Sequence, residues 1–150
     1  MNAGYQGTLG YGFAAALGVK VANPDKPVIC GIGDGGFMYN VQELATAVQN
    51  QIPVVTLLFN DGAFGNVQRD QKHRYGGRVI ATELYNPDFV KMAESYGAQA
   101  FRAYTLAEIR QAIRAGFDVN VPTIIEIPVG EMPSPFKLFA GDKVRPVRNK

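Results

Sequence analysis

Cysteine and histidine occur once each, as Cys30 and His73, in a chain of 150 residues. A lone cysteine excludes an internal disulfide and fits a reducing, cytoplasmic compartment; its apolar neighbours mark it as an inert buried thiol. The lone histidine lies in a charged stretch and reads as a solvated side chain, not a catalytic base. Net charge is small as well, at +2. Lys143, Arg145, Arg148 and Lys150 crowd into the C-terminal tail with only Asp142 beside them, so the body of the chain is close to neutral. That excludes a basic face for nucleic acid. The aromatics Tyr5, Tyr11, Phe13, Phe37, Phe59 and Phe64 are not interleaved with basic residues as a base-stacking platform would be, and read as core or interface. No apolar run approaches the ~20 residues of a membrane helix, and no basic-then-apolar leader opens the chain. The expectation is a soluble protein with no membrane or nucleic-acid partner.

What is present is apolar: 47% of residues are hydrophobic, enough for one globular domain with a substantial core. Val28 to Ile32, Val54 to Phe59 and Ile124 to Val129 are short apolar runs. The first two are bounded by Pro on one side and Gly or Asn-Asp on the other, as expected of strands buried on both faces. Between them "NVQELATAVQNQ" places Val41, Leu44, Ala45 and Val48 at helical spacing, with Asn40 and Glu43 resembling a capping box, so that Glu43 reads as a capping residue only. "NPDFVKMAESYG" predicts a helix with Asn86 as N-cap, Pro87 at its first position and Gly97 at its end. "TLAEIRQAIRAG" repeats the grammar, with Thr105 and Glu108 as a capping box ahead of Leu106, Ile109 and Ile113. "QRDQKHRYGGR", Gln68 to Arg78, lacks apolar periodicity and reads as an exposed loop, with Arg69, Lys72, Arg74 and Arg78 solvated in preference to binding a substrate carboxylate. Alternation of this kind implies an α/β fold, a three-layer parallel sheet with helices on both faces.

Open α/β sheets bind ligands beyond the carboxyl ends of their strands, here Gly33 to Gly36 and Asn60 to Gly65. The loop "VICGIGDGGFMYN" fits two patterns. Gly31, Gly33 and Gly36 spell GxGxxG, the glycine spacing of a dinucleotide-binding turn. The turn also carries Asp34, however, whose carboxylate would lie against the phosphates. Two unit charges about 4 Å apart repel by roughly 4 kcal/mol at an effective dielectric near 20. A helix N-terminus returns only about 0.3 to 1 kcal/mol. A divalent cation reverses that sign, because Mg²⁺ takes a few carboxylate or carbonyl oxygens and completes its shell with water and phosphate. "FNDGAFGN" at the next strand end offers Asn60, Asp61 and backbone carbonyls for the same ion.

The ordered motifs resemble a known family. Gly33-Asp34-Gly35, 24 intervening residues and then Asn60 resemble the thiamine diphosphate motif, which begins GDG and ends in a pair of Asn residues. "GTLGYGFAAALGVKVANPDKPV", "VQELATAV" and "NPDFVKMAESYGA" are similar to segments of the acetolactate synthase-like and 2-oxo acid decarboxylase group. The resemblance spans about Gly4 to Val129. It implies a thiamine diphosphate-binding fold, with residues 1–130 as a pyrophosphate-binding domain, N-terminally truncated relative to the family, and residues 131–150 as a C-terminal tail. By position it implies Asp34, Asp61 and the carbonyl of Ala63 as Mg²⁺ ligands. Gly35, Gly36 and Gly65 would offer backbone contacts to the diphosphate, Gly33, Asp34, Asn60 and Ala63 would belong to the same cofactor-binding set, Leu9 would stand beneath the bent cofactor, and the Gly7 carbonyl would accept from its aminopyrimidine.

The same resemblance implies that this chain carries no catalytic residue of its own, because the activating glutamate of the family belongs to an aminopyrimidine-binding domain, on a partner subunit. A homo- or hetero-oligomer acting on a small 2-oxo acid follows, inactive as this chain alone. Gly4 to Gly12 is expected to order only against such a partner. Three departures from the pattern stand out. Asp61 replaces the second Asn, Gly31 replaces an apolar strand residue, and Asp70 stands where the synthases carry Trp. The alternatives are a non-catalytic binding module, or a dinucleotide-binding oxidoreductase domain that binds NAD without metal.

Overall fold

The computed structural model describes residues 7–132; Tyr5, the start of the glycine-rich entry and the basic tail from residue 133 lie outside the described residues. Four strands, β1 (Ile29–Gly33), β2 (Val55–Asn60), β3 (Gln99–Arg102) and β4 (Thr123–Pro128), form one sheet in the order β1-β2-β4-β3. Every pairing is parallel. The helices are α1 (Tyr11–Ala22), α2 (Asp34–Met38), α3 (Glu43–Gln49), α4 (Gly65–Arg74), α5 (Phe89–Ser95) and α6 (Leu106–Phe117).

The two central strands are buried on both sides, which is why they read as unbroken apolar runs. One face of the sheet packs Val28, Cys30, Val54, Leu58 and Ile124 against Phe13 and Leu17 of α1, Leu44 and Ala47 of α3, and Phe89 and Ala93 of α5. The other packs Val55, Ile125 and Ile127 against Ala112, Ile109 and Ile113 of α6. Helices therefore cover both faces, as expected. Phe37 of α2 sits edge-on to Phe13 at 5.2 Å and to Phe89 at 6.1 Å, tying the turn after β1 to two helices. Such pairs add about 0.5–1.5 kcal/mol each beyond the area they bury.

Several sequence expectations are corrected. β1 is an edge strand, and α6 does not reach it: Ile29 is 49% exposed, so only the Cys30 side of this strand is buried. β3 has no counterpart in the sequence pattern, because three half-buried residues and an exposed one carry too little alternation to register. The stretch expected to be an exposed loop begins with helix α4, which is exposed as expected but has no buried residue and hence no apolar periodicity. Asn40 and Glu43 form no capping box; α3 has no side-chain cap, and the Asn40 amide donates instead to the Gly10 carbonyl at 2.8 Å. Asn86 is not the N-cap of α5. That role belongs to Asp88, whose carboxylate accepts from the Lys91 N–H at 3.3 Å. The capping box of α6 does form, with Thr105 accepting from the Glu108 N–H and Glu108 from the Thr105 N–H. Gly97 closes α5 at φ +86°, a left-handed conformation that suits glycine.

Candidate functional site

Beyond the carboxyl ends of β1 and β2 lies an open cleft of about 930 Å³. Its floor is the turn Gly33 to Gly36, one wall is the residues from Gly7 to Gly12, and the opposite wall is Asp61, Ala63 and the start of α4. Of the residues singled out from the sequence, Gly7, Leu9, Gly33, Asp34, Gly35, Gly36, Asp61, Ala63 and Gly65 all line it. Asn60 does not: its side chain turns inward, toward the sheet, where its amide meets Glu126.

Asp34 is 1% exposed overall and accepts three hydrogen bonds. The Gly35 N–H donates to Oδ1 at 2.9 Å, while the Gly62 N–H at 2.9 Å and the Asn86 amide at 2.6 Å donate to Oδ2. The Gly35 N–H is thus already engaged by the protein. Gly62 can deliver its N–H here because the chain turns at φ +69°, where a side chain would be strained.

Asp61 stands half-buried at the other side of the turn, its Oδ1 accepting from the Ala63 N–H at 3.2 Å. Burial first, and then the charge of Asp34, push its carboxyl above the ordinary carboxylate range. A carboxyl so placed is unfavourable to ionise unless a cation joins it. Gly65 faces Asp61 so closely that a Cβ there would collide with the Asp61 carboxylate. No group of three or more His, Cys, Asp and Glu that could hold a metal occurs among the described residues. Two carboxylates still suit a small hard cation that brings its remaining oxygens from water and a phosphorylated ligand.

α4 opens the far wall without any side-chain cap, and its first three residues, Gly65, Asn66 and Val67, line the cleft. Uncapped N–H groups at such a terminus favour anions. Leu9, 47% exposed, presents bulk to the cleft near Gly36. Phe59, Val67, Val129 and Met132 make the outer end apolar, with Arg69 beside them. Asp70 does not line the cleft; its carboxylate faces Arg74 at 3.6 Å. Phe59 packs against the core as expected and also lines the cleft, whereas Phe64 is a cleft residue.

Sequence reasoning missed Asn86, Glu126 and Arg102. Glu126 is 4% exposed inside β4, accepting from the Asn60 amide at 2.8 Å and from Arg102 Nε at 2.8 Å. A single acid inside the apolar run "TIIEIP" was a readable signal, since a buried charge requires a partner.

Fold and site together define an open parallel α/β domain with a carboxylate-bearing, glycine-lined cleft at its strand ends. The chain belongs to the family described as "Thiamine pyrophosphate enzyme, C-terminal TPP binding domain", whose family model matches residues 1–127. It is 41% identical over 130 residues to a probable acetolactate synthase large subunit of Methanococcus aeolicus, covering 86% of this chain and 22% of that protein. It is also 41% identical over 133 residues to the acetolactate synthase large subunit of Haemophilus influenzae, covering 87% of this chain and 23% of that one. Among solved structures, a thiamine diphosphate-dependent 4-hydroxybenzoylformate decarboxylase of Rhodococcus jostii RHA1 superposes with a TM-score of 0.78 at 34% identity, covering 85% of this chain and 24% of that chain. The chain thus spans under a quarter of the length of these relatives. No helix among the described residues is long and apolar enough to cross a membrane.

Proposed function

We propose that this chain is the diphosphate-binding part of a thiamine diphosphate- and Mg²⁺-dependent lyase or carboligase acting on 2-oxo acids, and that it is inactive without an aminopyrimidine-binding domain or subunit. Residues 1–130 form the binding unit in this reading, and residues 131–150 a tail. The observation that carries it is the pair of carboxylates, Asp34 and Asp61, brought together across a glycine-lined cleft that is otherwise open to an anion.

Asp34, Asp61 and the Ala63 carbonyl would hold the Mg²⁺. The N–H groups at the start of α4 and the backbone of Gly36 would meet the diphosphate, and the lack of a Cβ at Gly65 leaves the Asp61 carboxylate its place. Leu9 would support the cofactor from beneath, and the Gly7 carbonyl would accept from it. When bound, thiamine diphosphate supplies the electron sink for decarboxylation of a 2-oxo acid. The apolar outer end of the cleft would exclude water from that step. Asp70 stands where the synthases carry Trp and faces Arg74 outside the cleft, so the reading is acetolactate synthase-like and goes no further toward one substrate.

Calorimetric titration with thiamine diphosphate, with Mg²⁺ and again with EDTA, tests the reading. Binding is expected only with Mg²⁺ and is expected to fall at least about a hundredfold in Asp34→Ala. Binding of NAD without metal would overturn the reading. A reconstituted complex whose activity survives Asp34→Ala would make the domain a scaffold instead.

A further inference from the structure

The cleft floor is held from inside the sheet by a chain of side chains. Arg102, Glu126 and Leu58 are neighbours across β3, β4 and β2. Arg102 Nε donates to Glu126 Oε2, and the other oxygen of Glu126 accepts from Asn60 Nδ2. With its amino group so engaged, Asn60 must turn its carbonyl the other way. There it accepts from the Gly62 N–H at 3.2 Å and from the Asn86 amide at 3.0 Å. Asn86 must therefore present its NH₂ on this side, and the same NH₂ donates to Asp34 Oδ2 at 2.6 Å. Arg102 also donates to Asp88, two residues beyond Asn86, at 2.9 Å, closing a ring of contacts around β3 and the start of α5.

Each link admits one orientation only. A carboxylate accepts at both oxygens, whereas an amide has one accepting and one donating end. Glu126 thus sets the direction of Asn60, Asn60 sets that of Asn86, and Asn86 delivers a donor to Asp34. We infer that Glu126, which does not line the cleft, is a positioning residue for the Asp34 carboxylate, acting through Asn60 and Asn86. The consequence for metal binding rests on the function proposed above; the orientation of Asp34 does not.

Glu126→Gln keeps the volume and breaks the logic. Its amide can satisfy Arg102 with oxygen and then opposes its NH₂ to that of Asn60, or satisfy Asn60 and oppose Arg102. In the first arrangement Asn60 and then Asn86 must invert, and an oxygen replaces the donor at Asp34. Arg102→Gln together with Glu126→Gln removes the conflict: the two introduced amides can pair with each other, while the one on β4 keeps its carbonyl toward Asn60.

The test is carried out on the full chain, first without ligand, by ¹H–¹⁵N correlation spectra of the glycine amides. Glu126→Gln is expected to shift the Gly35 resonance, which reports Asp34 Oδ1 and lies outside the chain of amides, as well as that of Gly62. The double variant is expected to return both toward their original positions. A Gly35 resonance that stays in place while Gly62 moves, or while only the melting temperature falls, would overturn the inference. Should Glu126→Gln fail to fold, Asn86→Ala, on the less buried side of the chain, must shift Gly35 in its place. Titration with Mg²⁺ and thiamine diphosphate then reads the consequence: Glu126→Gln should weaken apparent Mg²⁺ affinity by about 10–100-fold, the usual effect of removing a ligand's own hydrogen-bond partner. An original chain that shows no Mg²⁺-dependent binding would sink the proposed function and leave the Gly35 result to decide the positioning role.

Discussion

The two walls that meet at Asp61 are built in opposite ways. The inner one, Gly33 to Gly36 with Asp34, rests on Phe37, Phe13 and Phe89, all 0% exposed, and on the ordered side chains that run back to Glu126. The outer one, α4, has no fully buried residue. It is fixed by polar contacts at the surface. Gln71 exchanges two hydrogen bonds with the backbone of Ile80, Arg69 donates to the Met132 carbonyl and to Asn66, and Lys72 pairs with Glu131 at 2.8 Å. Exposed ion pairs contribute only about 0–1 kcal/mol. Apolar burial of one large side chain contributes about 1.5–3 kcal/mol. The floor of the cleft is therefore as stable as the core, whereas α4 can be displaced at small cost. A ligand would find the Asp34 face preformed and the outer wall adjustable, the distribution of stability expected where a site must open.

The largest effect should come from breaking the inner wall. Phe37→Ala removes the ring shared by α1 and α5, and we expect a loss of about 3–5 kcal/mol in urea unfolding. Because the turn rests on that ring, hydrogen exchange at Gly35 and Gly62 should accelerate together with the core. Protection at those amides surviving unchanged would show that the floor is held from elsewhere. Gln71→Ala is the matching cut in the outer wall, with an expected cost of about 1 kcal/mol for its exposed hydrogen bonds. Exchange should rise along Gly65–Arg74 while Gly35 keeps its protection. Joint acceleration of both walls would refute their independence.

That asymmetry also explains which features were legible in the sequence. The central strands and the α6 cap are local facts: an apolar run, or a Thr and a Glu three positions apart, suffices to specify them. The grouping of Asp34 and Asp61 followed from the rule that ligands gather at strand ends. α4 was opaque because periodicity reports burial, and this helix has none; of its partners Ile80 is near in the chain but polar only through its backbone, while Met132 and Glu131 are remote. Asn86 reads as a cap because Asn before Pro is a common helix start. Its actual partner, Asp34, lies 52 positions away. Only Glu126 left a trace, as an acid in an apolar strand, and its partner Asn60 is 66 positions distant.

Asp61 belongs to both walls, and its substitution by Asn tests their junction with the smallest expected effect. The folded chain holds the Asp61 carboxyl above its ordinary value through burial and the charge of Asp34. A group whose folded pKa is raised binds its proton more readily folded than unfolded. Stability then falls as pH rises from the ordinary carboxylate value through the raised one. Below that window Asp61 is neutral in both states, and Asp61→Asn should match the original chain in urea midpoint. Above it only the original chain carries a half-buried charge at position 61, so the variant should be the more stable at neutral pH, by less than the Gln71 effect. A difference between the two chains that stays constant from pH 3.5 to 7 would show that the two carboxylates do not sense each other. Saturating Mg²⁺ and thiamine diphosphate should cancel or reverse the advantage, since the cation then repays the charge that Asn lacks. The junction that weakens the domain by itself is the one that a bound cation would strengthen.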